Sequence, residues 1–244
     1  MRYLIISDIH ANLDALEAVL ADAAPLGYDR VVCLGDLVGY GASPGDVVDR
    51  IFSLEPVGLI RGNHDKVCAG LEPATNFNDA AREAAEWTHR ALTAAQIERL
   101  VGLPRGPLAI DQGMQICHGS PFDEDYYVFD EADAGRAIAS SSERVCFFGH
   151  THVPAVFTTG DDTAQPSPVA EDELLLPKTG CVLINVGSVG QPRDGDPRAA
   201  YGIYDVDRQA VRMRRVAYDI ASAQRRIRDA GLPDWLASRL GRGK

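Results

Sequence analysis

YLIISDIHANLDALEAVLADA, residues 3–23, carries two periodicities back to back. YLIISD (3–8) is a short apolar run that ends on a carboxylate. Leu13, Leu16, Val19, Leu20 and Ala23 then fall on one face of a 3.6-residue period. A buried strand followed by an amphipathic helix is the expected reading. The unit recurs. RVVCLGD (30–36) is followed by a helical face at Val47, Val48, Ile51 and Leu54, and VGLIRGNHD (57–65) reads as a third strand. This βαβαβ alternation predicts an α/β fold whose sheet starts parallel. Ser43 with Pro44 marks a helix start as N-cap and N1, with Asp46 in the first turn. Thr93 and Gln96 fit a capping box.

Residues 79–103 read as two helices, and four more strands are expected in MQICHGS (114–120), RVCFFGH (144–150), CVLINVGS (181–188) and AYGIYDV (200–206). Between Thr158 and Gly180 the composition turns to Asp, Pro, Ala and Glu, the mark of an exposed hairpin or loop. From Asp219 a basic amphipathic helix runs to a break at GLP (231–233) and resumes as DWLASRL (234–240). Ile220, Ile227, Trp235, Leu236 and Leu240 are expected to pack it onto the body. With no internal repeat and no linker, residues 1–244 read as one domain.

Bulk composition narrows the partners. The 244 residues carry a net charge of −11, which disfavours non-specific nucleic-acid binding. The first apolar run is too short for a signal peptide or a membrane span, so a cytoplasmic protein with no membrane partner is expected. The five cysteines show no CxxC pair and read as buried thiols. Cys117, next to a histidine, offers a nucleophile on paper, but the chemistry below has no use for it. A homo-oligomer is compatible with the sequence.

The polar residues are ordered. Each of several strands ends in acid, amide or histidine: Asp8-Ile9-His10 with Asn12, Gly35-Asp36, Gly62-Asn63-His64-Asp65, His118-Gly119-Ser120, and Gly149-His150-Thr151-His152. Ligand sites of open α/β sheets lie just beyond the carboxyl ends of the strands. Of the six histidines, His89 alone falls elsewhere, inside a helix. The donor set Asp8, His10, Asp36, Asn63, His118, His150 and His152 contains no thiolate and suits Mn, Fe, Zn, Co or Ni. Seven donors are too many for one ion, and two ions with a bridging carboxylate would use them all. Strand periodicity alone would put His150 and His152 on the same ion. No GxxxxGK loop and no GxSxG elbow occurs.

In this order, DxH, GDxxG, GNHD, H and GHTH resemble the calcineurin-like metallophosphoesterase superfamily. GDLVGYG (35–41) and NVGSVGQPRDGDPRAAYGIYD (185–205) resemble its compact bacterial and archaeal branch of phosphodiesterase type. The resemblance implies a four-layer αββα sandwich with two mixed β-sheets and two divalent ions, manganese first, with Fe, Zn, Ni or Co as alternatives. It implies one ion on Asp8, His10, Asp36 and His152 and the other on Asp36, Asn63, His118 and His150. His150 and His152 then part to different ions, which needs a tight loop, and Gly149 is expected to supply its backbone freedom. The implied reaction is hydrolysis of a phosphodiester or phosphomonoester by a metal-held hydroxide. His64 would be general acid or hydrogen-bond donor to the leaving group, with Asp65 fixing its tautomer. Arg193 and Arg198 are candidates for a substrate phosphate, against a surface pairing with Asp194 or Asp196. Asn12 and Tyr40 are further candidates for facing the substrate.

A small phosphate-ester or nucleotide substrate fits better than a protein. A phosphoprotein phosphatase and a dinucleoside-polyphosphate hydrolase are alternatives on the same residues. A non-catalytic adaptor is the alternative from another class, and it is disfavoured because all seven donor positions and His64 are intact.

Overall fold

A computed structural model describes residues 1–110, 113–160, 163–167 and 173–244. The first half of the chain runs β1 (Arg2–Ile6), α1 (Leu13–Ala23), β2 (Arg30–Cys33), α2 (Pro44–Ser53), β3 (Gly58–Leu59), α3 (Asn63–Cys68), α4 (Asp79–Ala91), α5 (Ala94–Val101), β4 (Leu108–Ile110) and β5 (Met114–Ile116). The second half runs α6 (Glu131–Ala139), β6 (Val145–Phe148), β7 (Ala155–Gly160), β8 (Thr163–Ser167), β9 (Glu173–Leu175), β10 (Val182–Asn185), β11 (Ala199–Asp205), β12 (Ala210–Val216), α7 (Ile220–Asp229) and α8 (Asp234–Leu240).

Two sheets form, in the orders β3-β2-β1-β11-β12-β9 and β4-β5-β6-β10-β7-β8. In the first, β1, β2 and β3 are parallel, as the opening alternation predicts, and β11 joins β1 antiparallel. In the second, β5, β6 and β10 are parallel, with antiparallel β4 and β7 outside them. Both sheets are therefore mixed. Their strands read as continuous apolar runs because both faces are covered. Tyr3, Ile5, Val32 and Leu34 point inward to meet Val145, Phe147, Val182 and Ile184 of the other sheet. Leu4, Ile6, Val31 and Cys33 point outward under α1 and α2. Cys146, Phe148 and Leu183 point outward with α6. Helix, sheet, sheet, helix is the αββα order. Among the described residues no helix is long and apolar enough to cross a membrane.

Several local expectations need correction. The third predicted strand is only Gly58–Leu59, and GNHD opens α3 instead. Gly62 N–H donates to Asp65 Oδ2 at 2.9 Å, closing a helical first turn where a longer strand would carry the loop away from Asp36. Pro44 starts α2 as expected, but the Ser43 hydroxyl makes no capping bond. The Thr93–Gln96 capping box is present. In the acidic stretch from Thr158 to Gly180, β7 pairs with β8 as a hairpin, and residues 161–162 and 168–172 lie outside the described residues. At the C-terminal end, Ile227, Leu236 and Leu240 are buried as expected, whereas Trp235 is 50% exposed.

Candidate metal centre

The polar strand ends of both sheets meet at one edge of the sandwich. Asp8, His10, Asp36, His150 and His152 all have left-handed backbone, with φ of 53°, 49°, 52°, 67° and 61°. Non-glycine residues avoid this region at a cost of about 1–3 kcal/mol each, and such residues cluster at functional sites. The loops are pinned in that shape. Asp8 C=O accepts from Ser188 Oγ at 2.7 Å and Gly190 N–H at 3.0 Å. His10 N–H donates to Asp36 C=O at 2.9 Å. The bend at 149–152 is made by the two histidines themselves, because Gly149 is absent from the residues with positive φ. Its role is space: a Cβ there would overlap Ser7 Oγ and press on Asp8 Oδ2.

Donor atoms of Asp8, His10, Asp36 and His152 lie within 4.8 Å of one another, and so do those of Asp36, His118 and His150. Asp36 belongs to both groups. Its Oδ2 sits 3.5 Å from both His10 Nε2 and His118 Nε2, and its Oδ1 accepts from His64 N–H at 2.9 Å. Asn63 Oδ1 faces His118 Nε2 at 3.2 Å. His152 Nε2 lies 3.4 Å from Asp8 Oδ1, whereas His150 turns to His118. The two histidines of the HxH block thus part to different groups.

Tautomers decide what this cluster can hold. His10 Nδ1 faces Val38 C=O at 3.1 Å, His118 Nδ1 faces Leu34 C=O at 2.8 Å, and His152 Nδ1 faces Gln191 C=O at 2.7 Å. His150 uses the other nitrogen, with Nε2 at 3.1 Å from Asp125 C=O. A carbonyl only accepts, so each of these nitrogens carries the N–H. The second nitrogen of the neutral His10, His150 and His152 rings is left as a lone pair aimed inward, whereas the Asp36 carboxylate favours a proton on His118 Nε2 when no cation is bound. His10 Nε2 then meets His152 Nε2 at 3.1 Å, and His150 Nδ1 meets His118 Nε2 at 3.1 Å. The His10 and His152 lone pairs, at that distance and beside two carboxylates, repel unless a cation lies between them, and at the second group a proton on His118 stands where such a cation would. A backbone carbonyl that fixes the outer N–H is also how metal-ligating histidines are commonly oriented. The residues fit divalent ions.

The electrostatics agree. Burial opposes charge on His118, but the Asp36 carboxylate outweighs it and pushes the imidazole up to about 10. Burial also disfavours ionised Asp36, yet His118 and His64 beside it hold its carboxyl well below the usual range. Burial, joined by the Asp36 charge, pushes Asp8 up to about 6. Burial holds His10, His150 and His152 well below the ordinary imidazole value. The cluster attracts positive charge and keeps three imidazoles neutral, as metal ligation requires.

Around the donors, expectation and structure divide. His64 is 4% exposed, its ring centroid 4.3 Å from Tyr40, 4.4 Å from Phe77 and 4.9 Å from His10. Its Nδ1 has no hydrogen-bond partner. Asp65 does not orient it: its carboxylate accepts from the N–H groups of Leu37, Val38 and Gly62 and so shapes the loop after Asp36. Asn12 is also spent elsewhere, with Oδ1 capping α1 through Ala15 N–H and Nδ2 donating to Gly190 C=O at 2.9 Å. Tyr40 packs against His10 and His64. Arg198 pairs with Asp196 at 2.6 Å and Arg215 takes Asp194, so Arg193 is left without either carboxylate. Its Nη2 donates to Gln191 Oε1 at 2.9 Å. Cys117 is buried, and burial raises its thiol well above the ordinary value, which removes it as a nucleophile. His89 is exposed and bonds Cys68 C=O.

Three residues outside the sequence motifs matter. Lys66, nearly buried, reaches Asp125 at 2.7 Å and Glu124 at 3.2 Å, and so fixes the loop whose Asp125 carbonyl holds His150. Tyr127 stacks on His150 with centroids 3.7 Å apart and lines an open cleft with Asn63 and Phe77. Arg239, from α8, lies over the Tyr40 ring at 5.7 Å. The basic residue beside GNHD and the arginine in DWLASRL are visible in the sequence, but their inward direction is set by tertiary packing.

Known proteins share the sequence and the fold. The family model described as calcineurin-like phosphoesterase superfamily domain matches residues 1–209. An uncharacterised protein of Methanocaldococcus jannaschii is 34% identical over 245 residues, covering 98% of this chain and 97% of that protein. The crystal structure of a metallophosphoesterase from Sphaerobacter thermophilus is similar at 41% identity and TM-score 0.89, covering 100% of this chain and 99% of that one. A hypothetical protein of Pyrococcus horikoshii shares the fold at 19% identity and TM-score 0.80, covering 100% and 98%.

Proposed function

The chain belongs to the calcineurin-like phosphoesterase superfamily, and from that premise we propose that it hydrolyses phosphate esters of small molecules or nucleotides at a centre of two divalent ions. One observation carries the reading: four histidines, each with one N–H committed to a backbone carbonyl, turn their other ring nitrogen toward the cluster that Asp8 and Asp36 share. Asp8, His10, Asp36 and His152 would hold one ion, and Asp36, Asn63, His118 and His150 the other. Bound there, such ions neutralise phosphate oxygens and lower the pKa of water.

The chain's own residues supply the rest. Burial holds His64 down to about 4, so the imidazole is neutral at pH 7. A neutral ring donates a hydrogen bond to the leaving oxygen rather than delivering a stored proton. Arg193 faces the same side of the centre from the loop that holds His152. The cleft beside His150 is lined by Phe77 and Tyr127 and suits an ester with an aromatic or nucleoside group.

The test is metal content measured together with turnover. A chelated sample reconstituted with Mn is expected to take up two ions per chain and to cleave an aryl phosphodiester faster than the corresponding monoester. Two bound ions with no turnover of any ester would return the adaptor reading. A wide advantage for monoesters would remove the diester preference.

A further inference from the structure

Arginines near the C-terminal end of the chain are mostly paired. Arg198 holds Asp196, Arg214 holds Asp22, Arg226 holds Asp14 and Arg228 holds Asp234. Among the described residues Arg225 and Arg242 are unpaired but exposed, whereas Arg193 and Arg239 are unpaired and turned into the protein. Neither of the latter two makes an ion pair with an Asp or Glu side chain among the described residues, in a chain with 35 acidic and 24 basic side chains. Arg239 is nonetheless 8% exposed. Its guanidinium lies 4.2 Å over the Trp235 ring and 5.7 Å over the Tyr40 ring, and its Nε donates to Lys244 C=O. Arg193 lies 5.8 Å over the same Tyr40 ring, and its buried Nε has no partner at all. Two guanidinium groups therefore face one phenol ring, which itself packs 4.8 Å from His10 and 4.3 Å from His64.

Like charges held together where one is buried and the other half-buried are costly, and an anion between them removes the cost. Burial and the neighbouring Arg193 charge bring Arg239 down to about 10, which leaves it charged at neutral pH. The guanidinium fork matches the oxygens of a phosphate, in geometry as well as charge. We propose that Arg193 and Arg239 form a two-arginine clamp over Tyr40 that binds a phosphate group of the substrate, making α8 a working wall of the site. The clamp rests on the phosphoesterase reading for its ligand being substrate, but not for its being an anion site. It places phosphate recognition beside His10, whereas the aromatic cleft lies beside His150.

Trp235 reports on it directly. The chain has two tryptophans, so Trp87→Phe leaves Trp235 as the single emitter, in contact with Arg239. Titrating this protein, metal-free, with inorganic phosphate at constant ionic strength is expected to change the fluorescence saturably. Arg239→Lys keeps the charge and loses the fork, and is expected to weaken phosphate roughly fivefold or more, with Arg193→Ala at least as damaging. A flat titration, or equal affinity in all three proteins, overturns the clamp. With the ions restored, Arg239→Lys should raise KM for an aryl phosphate more than it lowers kcat. Arginine-dependent phosphate binding without ester turnover would sink the phosphoesterase reading and keep the clamp. Turnover without arginine-dependent binding would do the reverse.

Discussion

Asp36 is where the two donor groups join, so its loss differs in kind from the loss of any histidine. Asp36→Asn is expected to abolish binding of both ions, while His150→Ala removes one, as counted by elemental analysis of reconstituted protein. If Asp36→Asn still binds one ion fully, the carboxylate does not bridge. Gly62→Ala tests the same point from behind, because its Cβ would overlap Asp36 Oδ1. That change should lower metal content with no ligand altered. His64 makes a pH prediction. Its imidazole is held down to about 4 by burial, against 6.5 in the unfolded chain. The unfolded state therefore takes up the proton first as pH falls, and acid weakens the metal-free fold through this group between about pH 6.5 and 4. His64→Asn should remove that loss, shifting stability relative to the unsubstituted protein by up to about 3 kcal/mol between pH 7 and pH 4 in urea unfolding. A pH-independent difference would mean that the ring is not held neutral. At this scale the donors were legible because their residue types carry the chemistry. Asn12 and Asp65 were misread because the same side chains also cap helices and bind backbone amides, and only the fold chooses between those uses.

Among elements, legibility followed the clarity of the period. The α1 and α2 faces and the parallel β1, β2 and β3 followed from the βαβαβ pattern. Short α3 did not, because its first turn is built from motif residues whose side chains point to the site or cap the turn. β12 was passed over as AVRMRRV, where Arg212 and Arg214 alternate with buried Val211 and Met213. The split of the C-terminal helix at GLP was readable, since glycine and proline punctuate it. What α8 does was not, because the arginine it sends inward depends on how Leu236 and Leu240 seat it. Leu236 is fully buried, and Leu236→Ala should cost about 2–4 kcal/mol in denaturant unfolding. A cost below about 1 kcal/mol would mean that α8 is loosely held. Holding the helix in place would then fall to contacts other than its apolar face.

Across the whole molecule, the centre is assembled from both sheets. Asp8, Asp36 and Asn63 follow β1, β2 and β3, and His118, His150 and His152 follow β5 and β6. Ions at that seam bind the folded state and not the unfolded one, so they should raise the melting temperature. At a free metal concentration 100 times Kd the gain is about 2.7 kcal/mol per site, and chelation should reverse it in a thermal melt. A melting temperature indifferent to Mn and to chelator would argue against a metal centre. The layered order was legible through resemblance more than through period, since no local pattern says that two sheets stack. The strand order has a consequence for biosynthesis. All seven donors have been made once residue 152 is added, yet β1 lies between β2 and β11, and β11 begins at Ala199. Ser188, Gly190 and Gln191, which pin Asp8 and His152, also come after the last donor. A nascent chain arrested near residue 160 holds every ligand and none of these braces, so metal capture should wait until β11 and the 188–191 loop have been made.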